Sequence, residues 1–193
     1  YGPSAVRALT RASRAFFETP PAGFAPVPLL RPRGCLLVGG AAQRGEAEAL
    51  CATLRAEGSA AELLDADAAR ALVPVLRPEA AAVALRDPAA FDIDVDALLQ
   101  GFLRRARAHG AVVATEARVR TLVHDGGRWR IGLADARRYA ASIVVDAAGA
   151  WADEVAGLAG ARSAGVEPRR RSAFLFDPPT GVASADWPAV IAL

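Results

Sequence analysis

The sequence predicts a mixed α/β chain, and three observations carry that expectation. Segments with helical apolar periodicity alternate with short apolar runs of strand length. One of those runs, residues 142–149, is apolar almost without interruption, as in a parallel sheet buried on both faces. Two further segments alternate in polarity across Asp125-Gly126-Gly127, a hairpin signal. At 193 residues and 53% hydrophobic, the chain suffices for one substantial core or two small ones and is not of a disordered composition. Its 13 prolines and 17 glycines follow no repeat, which excludes a collagen-like chain.

Each element has a local cause. Residues 4–18 place Val6, Leu9, Ala12, Ser13, Phe16 and Phe17 on one helical face and Arg7, Arg11 and Arg14 on the other. Pro20, Pro21 and Gly23 end that helix. Residues 33–40 form a short apolar strand bracketed by glycines, and Glu46 to Glu57 a helix stopped by Gly58. A strand over 60–64 leads to Asp65 or Asp67, either of which can cap a short helix ending near Leu72. Pro74 and Pro78 mark a loop before a strand over 80–86.

Phe91 to Asp96 leads into a helix carrying Leu98, Leu99, Phe102, Leu103 and Ala106, with acids at its start, arginines at its end and Gly110 as its stop. A short strand over 111–114 follows, then strands 117–123 and 128–133 paired through the glycine turn. The run 142–149 is expected as a buried strand and Trp151 to Leu158 as a helix. The apolar segment 187–193 reads as a strand.

Charge and cysteine usage narrow the function classes. All 23 basic side chains are Arg, acids are interleaved with them, and the net charge is +2. With alanine so abundant, a GC-rich coding bias explains the arginines, and we expect no nucleic-acid partner. The dense run Arg169-Arg170-Arg171 reads as a solvated strand edge. Cys35, Cys51, His109 and His124 match no zinc spacing, and no metal is expected; the cysteines read as small buried apolar side chains. Asp92, Asp94 and Asp96 lack the glycine and terminal Glu of a calcium loop. No apolar stretch reaches the ~18 residues of a membrane span, no secretory signal is visible, and the expected location is cytoplasmic.

The chemistry concentrates at Val144-Val145-Asp146-Ala147-Ala148-Gly149-Ala150-Trp151. A strand that ends in small residues and turns into a helix lets another group approach the backbone, since Gly149 has no Cβ. Free N–H groups at the helix start suit an anion. Tight strand–helix packing explains the same small residues, so spacing alone leaves both readings open.

The context is more specific. The phrases Asp96-Ala97-Leu98-Leu99, Ala108-His109-Gly110-Ala111-Val112, Val119-Arg120-Thr121-Leu122 and 144–151, in that order, resemble the DAO-type FAD-dependent oxidoreductases, the superfamily of D-amino acid oxidase, glycine oxidase and sarcosine oxidase. The opening Tyr1-Gly2-Pro3 and Leu30 to Leu36 are similar to the point where that family crosses into its substrate domain.

The resemblance implies a Rossmann-like FAD-binding domain interleaved with a mixed-sheet substrate domain. It assigns 1–22 and 92–160 to the former, and 23–91 and 161–193 to the latter. It implies FAD as cofactor, with Val119 reaching the adenine end through its backbone, Ala147, Ala148 and Gly149 against the phosphates and ribityl chain, and Trp151 close behind. It further implies an amine or amino acid substrate, oxidised by hydride transfer to the flavin.

No G-x-G-x-x-G occurs in the sequence, which has no Met and opens at Tyr1 within a Pro/Ser/Ala phrase. We therefore expect the central portion of a longer enzyme, inactive alone, with its catalytic residues outside these 193. The alternatives are a related flavin dehydrogenase acting on an alcohol, a tRNA-modifying flavin oxidase, or a non-enzymatic domain that kept the fold.

Overall fold

Every residue of Cys35–Gly39 is buried, and the first of two structural units is built around that strand. The computed structural model describes residues 3–175 and 177–193; Tyr1 and Gly2 of the opening phrase lie outside the described residues. The units comprise residues 1–111 with 178–193, and residues 112–177.

The first unit runs α1 (Ser4–Glu18), β1 (Leu30–Pro32), β2 (Cys35–Gly39), α2 (Arg44–Ala56), β3 (Glu62–Leu64), α3 (Ala66–Leu72), β4 (Val83–Asp87), β5 (Phe91–Ile93) and α4 (Val95–Ala108). The second holds β6 (Val119–Asp125), β7 (Arg128–Leu133), β8 (Arg138–Ala141) and α5 (Ala152–Leu158). A last strand, β9 (Ala189–Ala192), returns to the first unit.

The order β3-β4-β2-β9 makes a mixed sheet, since β2 pairs antiparallel with β4 and parallel with β9. Cys35 and Leu37 pack on one face with Cys51, Leu54 and Leu85, and Leu36 and Val38 on the other with Ala69, Val73 and Ala84. Leu36 and Leu85 are wholly buried, each stabilising by about 1.5–3 kcal/mol relative to exposure. Asp65 is the acid that caps α3, accepting the Ala68 N–H at 2.8 Å. Asp94 caps α4 in the same way, from Ala97 N–H at 2.8 Å.

A smaller core joins Phe24, Leu29 and Ala97, with Phe16 and Phe17 of α1 against it. Phe24 meets Phe16 and Phe102 edge to face, each at 5.1 Å. The rest of the expected inward face of α1 stays outside: Val6 and Leu9 are exposed. Arg7 and Arg11 instead tie the helix to Glu57 at the end of α2, at 2.8 and 2.7 Å.

Three expectations require correction. Residues 111–114 form no strand, and Val112 is exposed. Residues 142–148 are not a buried strand: no described strand pairs with them, Ile143 and Val145 are about four-fifths exposed (78% and 81%), and Val144 and Ala148 are half-buried at most. A strand needs hydrogen-bonding neighbours, and among the described residues this run has none. Arg169, Arg170 and Arg171 lie in an exposed irregular segment rather than at a strand edge. Three short strands arise from positions with weak patterning: β1 and β5, which pair antiparallel, and β8, which pairs with β7.

Candidate functional site

In the second unit β6, β7 and β8 form an antiparallel sheet with β6 at its edge. The hairpin turn is Gly126-Gly127, both at positive φ. Leu122 and Leu133 are buried, and Leu122 and Trp129 share an apolar hollow with Val155 and Ala156 of α5 and with Ala159 at its end.

Val119 stands opposite Leu133, and the Ala134 N–H donates to the Arg118 carbonyl at 2.9 Å. That bond makes the Val119–Leu133 pair a non-hydrogen-bonded one, so Val119 directs its own N–H and C=O away from β7 toward the open edge. One residue later the register shifts, with Thr121 opposite Gly132, and the extra residue Arg120 makes a bulge. Side chains at such bulges are re-aimed, and this one lies directly beyond Val119.

The other wall comes from the segment leading into α5. The Ala148 N–H donates to Asp146 Oδ1 at 3.0 Å, and the Trp151 N–H to the Ala148 carbonyl at 3.1 Å. Gly149 has φ +59° with open space where a Cβ would be, so backbone conformation rather than crowding requires glycine there. This turn brings Trp151 out, two-thirds exposed (66%), onto the same side as Val119.

The result is a cleft of about 470 Å³ lined by Val119, Ala148 and Trp151 together with Arg118, Glu154 and Leu158. Three of the five residues singled out from the sequence therefore share one cleft. Ala147 and Gly149 belong to the same turn without lining it. Glu154, Val155 and Leu158 were not anticipated. Their spacing from Trp151 follows one helical face, a signal the sequence does carry.

The electrostatics are acidic on the α5 side. Asp153 and Glu154 occupy the first turn of a seven-residue helix, which opposes the anion preference expected of its start. The Arg118 guanidinium reaches Glu154 at 3.1 Å. Asp153 turns the other way and accepts from the Ser163 hydroxyl at 2.5 Å and from the N–H groups of Ala164, Gly165 and Val166 at 2.8, 3.0 and 3.0 Å. The Ser163 hydrogen bond above all, then the Ala164 N–H, outweigh an opposing effect of burial, and with the Val166 and Gly165 donors they hold its carboxyl below the usual range.

Chemically, the cleft offers a backbone donor and acceptor side by side at a strand edge and a flat indole at its mouth. That set fits a planar heteroaromatic ring with hydrogen-bonding edges; the acidic turn does not fit the phosphates as an anion cradle. Residues 1–192 match the sequence profile of the DAO family, described as FAD dependent oxidoreductase. The chain belongs to that family. FAD is the family's cofactor, and the open-edged cleft suits its adenine end.

Solved structures show the same fold. Glycine oxidase from Bacillus cereus ATCC 14579 superposes with TM-score 0.66 at 19% identity, covering 81% of this chain and 44% of that one. Glycine oxidase from Geobacillus kaustophilus gives 0.63 at 22%, over 81% and 41%. L-alpha-Glycerophosphate Oxidase from Mycoplasma pneumoniae gives 0.59 at 20%, over 68% and 36%. The chain thus spans less than half of these proteins. Among the described residues no helix is long and apolar enough to cross a membrane.

Proposed function

We propose that the whole protein oxidises the C–N bond of an amino acid or small amine, and that these 193 residues supply part of its cofactor-holding surface. The observation that carries the reading is the turn-out of Val119 beside Trp151, in a chain that matches an FAD-dependent family over residues 1–192. FAD, when bound, supplies the two-electron acceptor for such chemistry. The substrate carbon gives up a hydride, its nitrogen loses a proton, and the resulting imine hydrolyses to a carbonyl compound and the free amine or ammonia.

In this reading Val119 holds the adenine edge through its backbone N–H and C=O, and Trp151 covers the ring. Ala147, Ala148 and Gly149 give the ribityl and phosphate side a backbone without side-chain bulk. That contribution is steric, because Asp153 and Glu154 leave little positive potential there. The division of 1–22 and 92–160 to the cofactor, and of 23–91 and 161–193 to the substrate, belongs to the same reading. So does a cytoplasmic location.

A second reading rests on the glycerophosphate oxidase likeness: an alcohol as the electron donor, with C–O oxidation in place of C–N. Anaerobic reduction of the flavin in the whole protein separates them. Bleaching of the flavin band by glycine, sarcosine or D-amino acids, and not by glycerol phosphate, is expected; the reverse pattern overturns the C–N reading. The isolated 193-residue chain is expected to show neither stoichiometric flavin nor amine-dependent reduction, and observing both would refute its inactivity.

A further inference from the structure

Resting on the assignment of this cleft to the cofactor, we propose that Arg118 and Glu154 are a positioning pair that sets the spacing between Val119 and Trp151. Arg118 Nη2 donates to Glu154 Oε1 at 3.1 Å, and both side chains line the cleft. Each is adjacent to a wall of it. Arg118 directly precedes Val119, and its carbonyl is fixed on β7 by the Ala134 N–H. Glu154 lies one helical turn beyond Trp151. The bond therefore joins the entry of β6 to the helix that follows the indole. Beyond Val119 the bulge at Arg120 interrupts the regular ladder, so the strand's own pairing constrains this end less than a regular register does.

The chemistry argues against Arg118 as a direct phosphate ligand. Its charge is already met by Glu154, and Asp153 stands next in the chain. Both partners are more than half exposed (62% and 53%), so the pair adds little to folding; an ion pair of this kind shifts an equilibrium by about two- to fivefold. Its effect is expected in the geometry of the cleft, where a small displacement of the strand edge weakens the paired N–H and C=O contacts together.

The test uses the whole protein, stripped of flavin and titrated with FAD by quenching of flavin fluorescence, with the melting temperature of the apoprotein measured in parallel. Arg118→Gln and Glu154→Gln are each expected to raise the Kd for FAD about two- to fivefold, with the double variant no worse than either single. The exchanged pair, Arg118→Glu with Glu154→Arg, is expected to recover most of the loss. Apoprotein melting is expected to stay within about a degree of the parent throughout.

Loss of affinity in Arg118→Gln but not in Glu154→Gln makes Arg118 a direct ligand and overturns the proposal. Affinity losses that track losses in apoprotein melting temperature make the pair merely structural and overturn it as well. The cleft assignment has its own control: if Trp151→Ala leaves the Kd unchanged, the assignment fails, and the positioning role fails with it.

Discussion

A β-carbon on Gly101 would lie 2.5 Å from Cε1 of Phe24 and 2.7 Å from the Phe24 carbonyl oxygen. The α4 helix approaches the Phe24 loop this closely because position 101 is bare, and Arg104 then donates to the same carbonyl at 2.6 Å. Gly101→Ala is therefore expected to destabilise the first unit by about 1–3 kcal/mol despite alanine's better helix propensity. Chemical denaturation followed by circular dichroism measures it. An unchanged or higher midpoint would mean that the Phe24 loop yields at no cost.

The attachment of α1 through Glu57 predicts sensitivity to salt and acid. Burial lifts the Glu57 carboxyl, but the Arg7 hydrogen bond and the charges of Arg7 and Arg11 outweigh it and leave the group below its ordinary value. The contribution is complete above the ordinary Glu range and disappears as pH falls through the lower folded value. Tryptic cleavage within α1 is expected to accelerate with added salt, and Glu57→Gln to make cleavage faster and nearly salt-independent. Identical salt profiles for parent and variant would remove the ion pairs as the attachment.

Asp153 supports a second acid-sensitive feature. Its folded carboxyl is held below the ordinary range by Ser163 and three backbone donors, so its stabilisation is present at neutral pH and is lost on acidification through that lower value. Asp153→Asn is expected to loosen residues 163–166 at pH 7, read as faster amide exchange there, and to flatten the acid limb of that exchange. Ser163→Ala removes one of the four bonds to Asp153 and the bond from the Gly165 N–H, leaving three backbone donors on Asp153, and is expected to do less.

The outward backbone of Val119 gives a prediction specific to function. Proline is tolerated on an edge strand where its missing N–H faces outward, so Val119→Pro is expected to leave folding largely intact. FAD affinity of the whole protein is expected to fall about three- to tenfold, the worth of one hydrogen bond. Val119→Leu keeps the N–H and is expected to bind as the parent does. Equal losses in the two variants would assign the effect to the side chain instead.

Two apolar runs show how far the sequence is legible. Residues 35–39 and 142–148 are both apolar runs of strand length, and the pattern of the second predicts a strand buried on both faces. The first is one, because β4 and β9 hydrogen-bond to its two sides and α2 and α3 cover its two faces. Among the described residues the second has the composition without strand neighbours, and Ile143 and Val145 are exposed. Caps and turns were readable because they act within a few residues: Asp65 and Asp94 at helix starts, Gly58 and Gly110 at helix ends, and Gly126-Gly127 in the hairpin.

The sequence by itself determined the alternation of helices and strands and the family, and it singled out Val119, Ala148 and Trp151, which line one cleft. Those properties rest on local geometry and on residue order. Tertiary structure alone decided that Val119 turns its backbone to an open edge, since that depends on the register of β6 against β7. It also decided that Trp151 and Ala148 meet Val119 across one cleft, and that Arg118 closes on Glu154 there. Residues 36 positions apart are paired by the sheet and helix between them, and no local pattern encodes that distance.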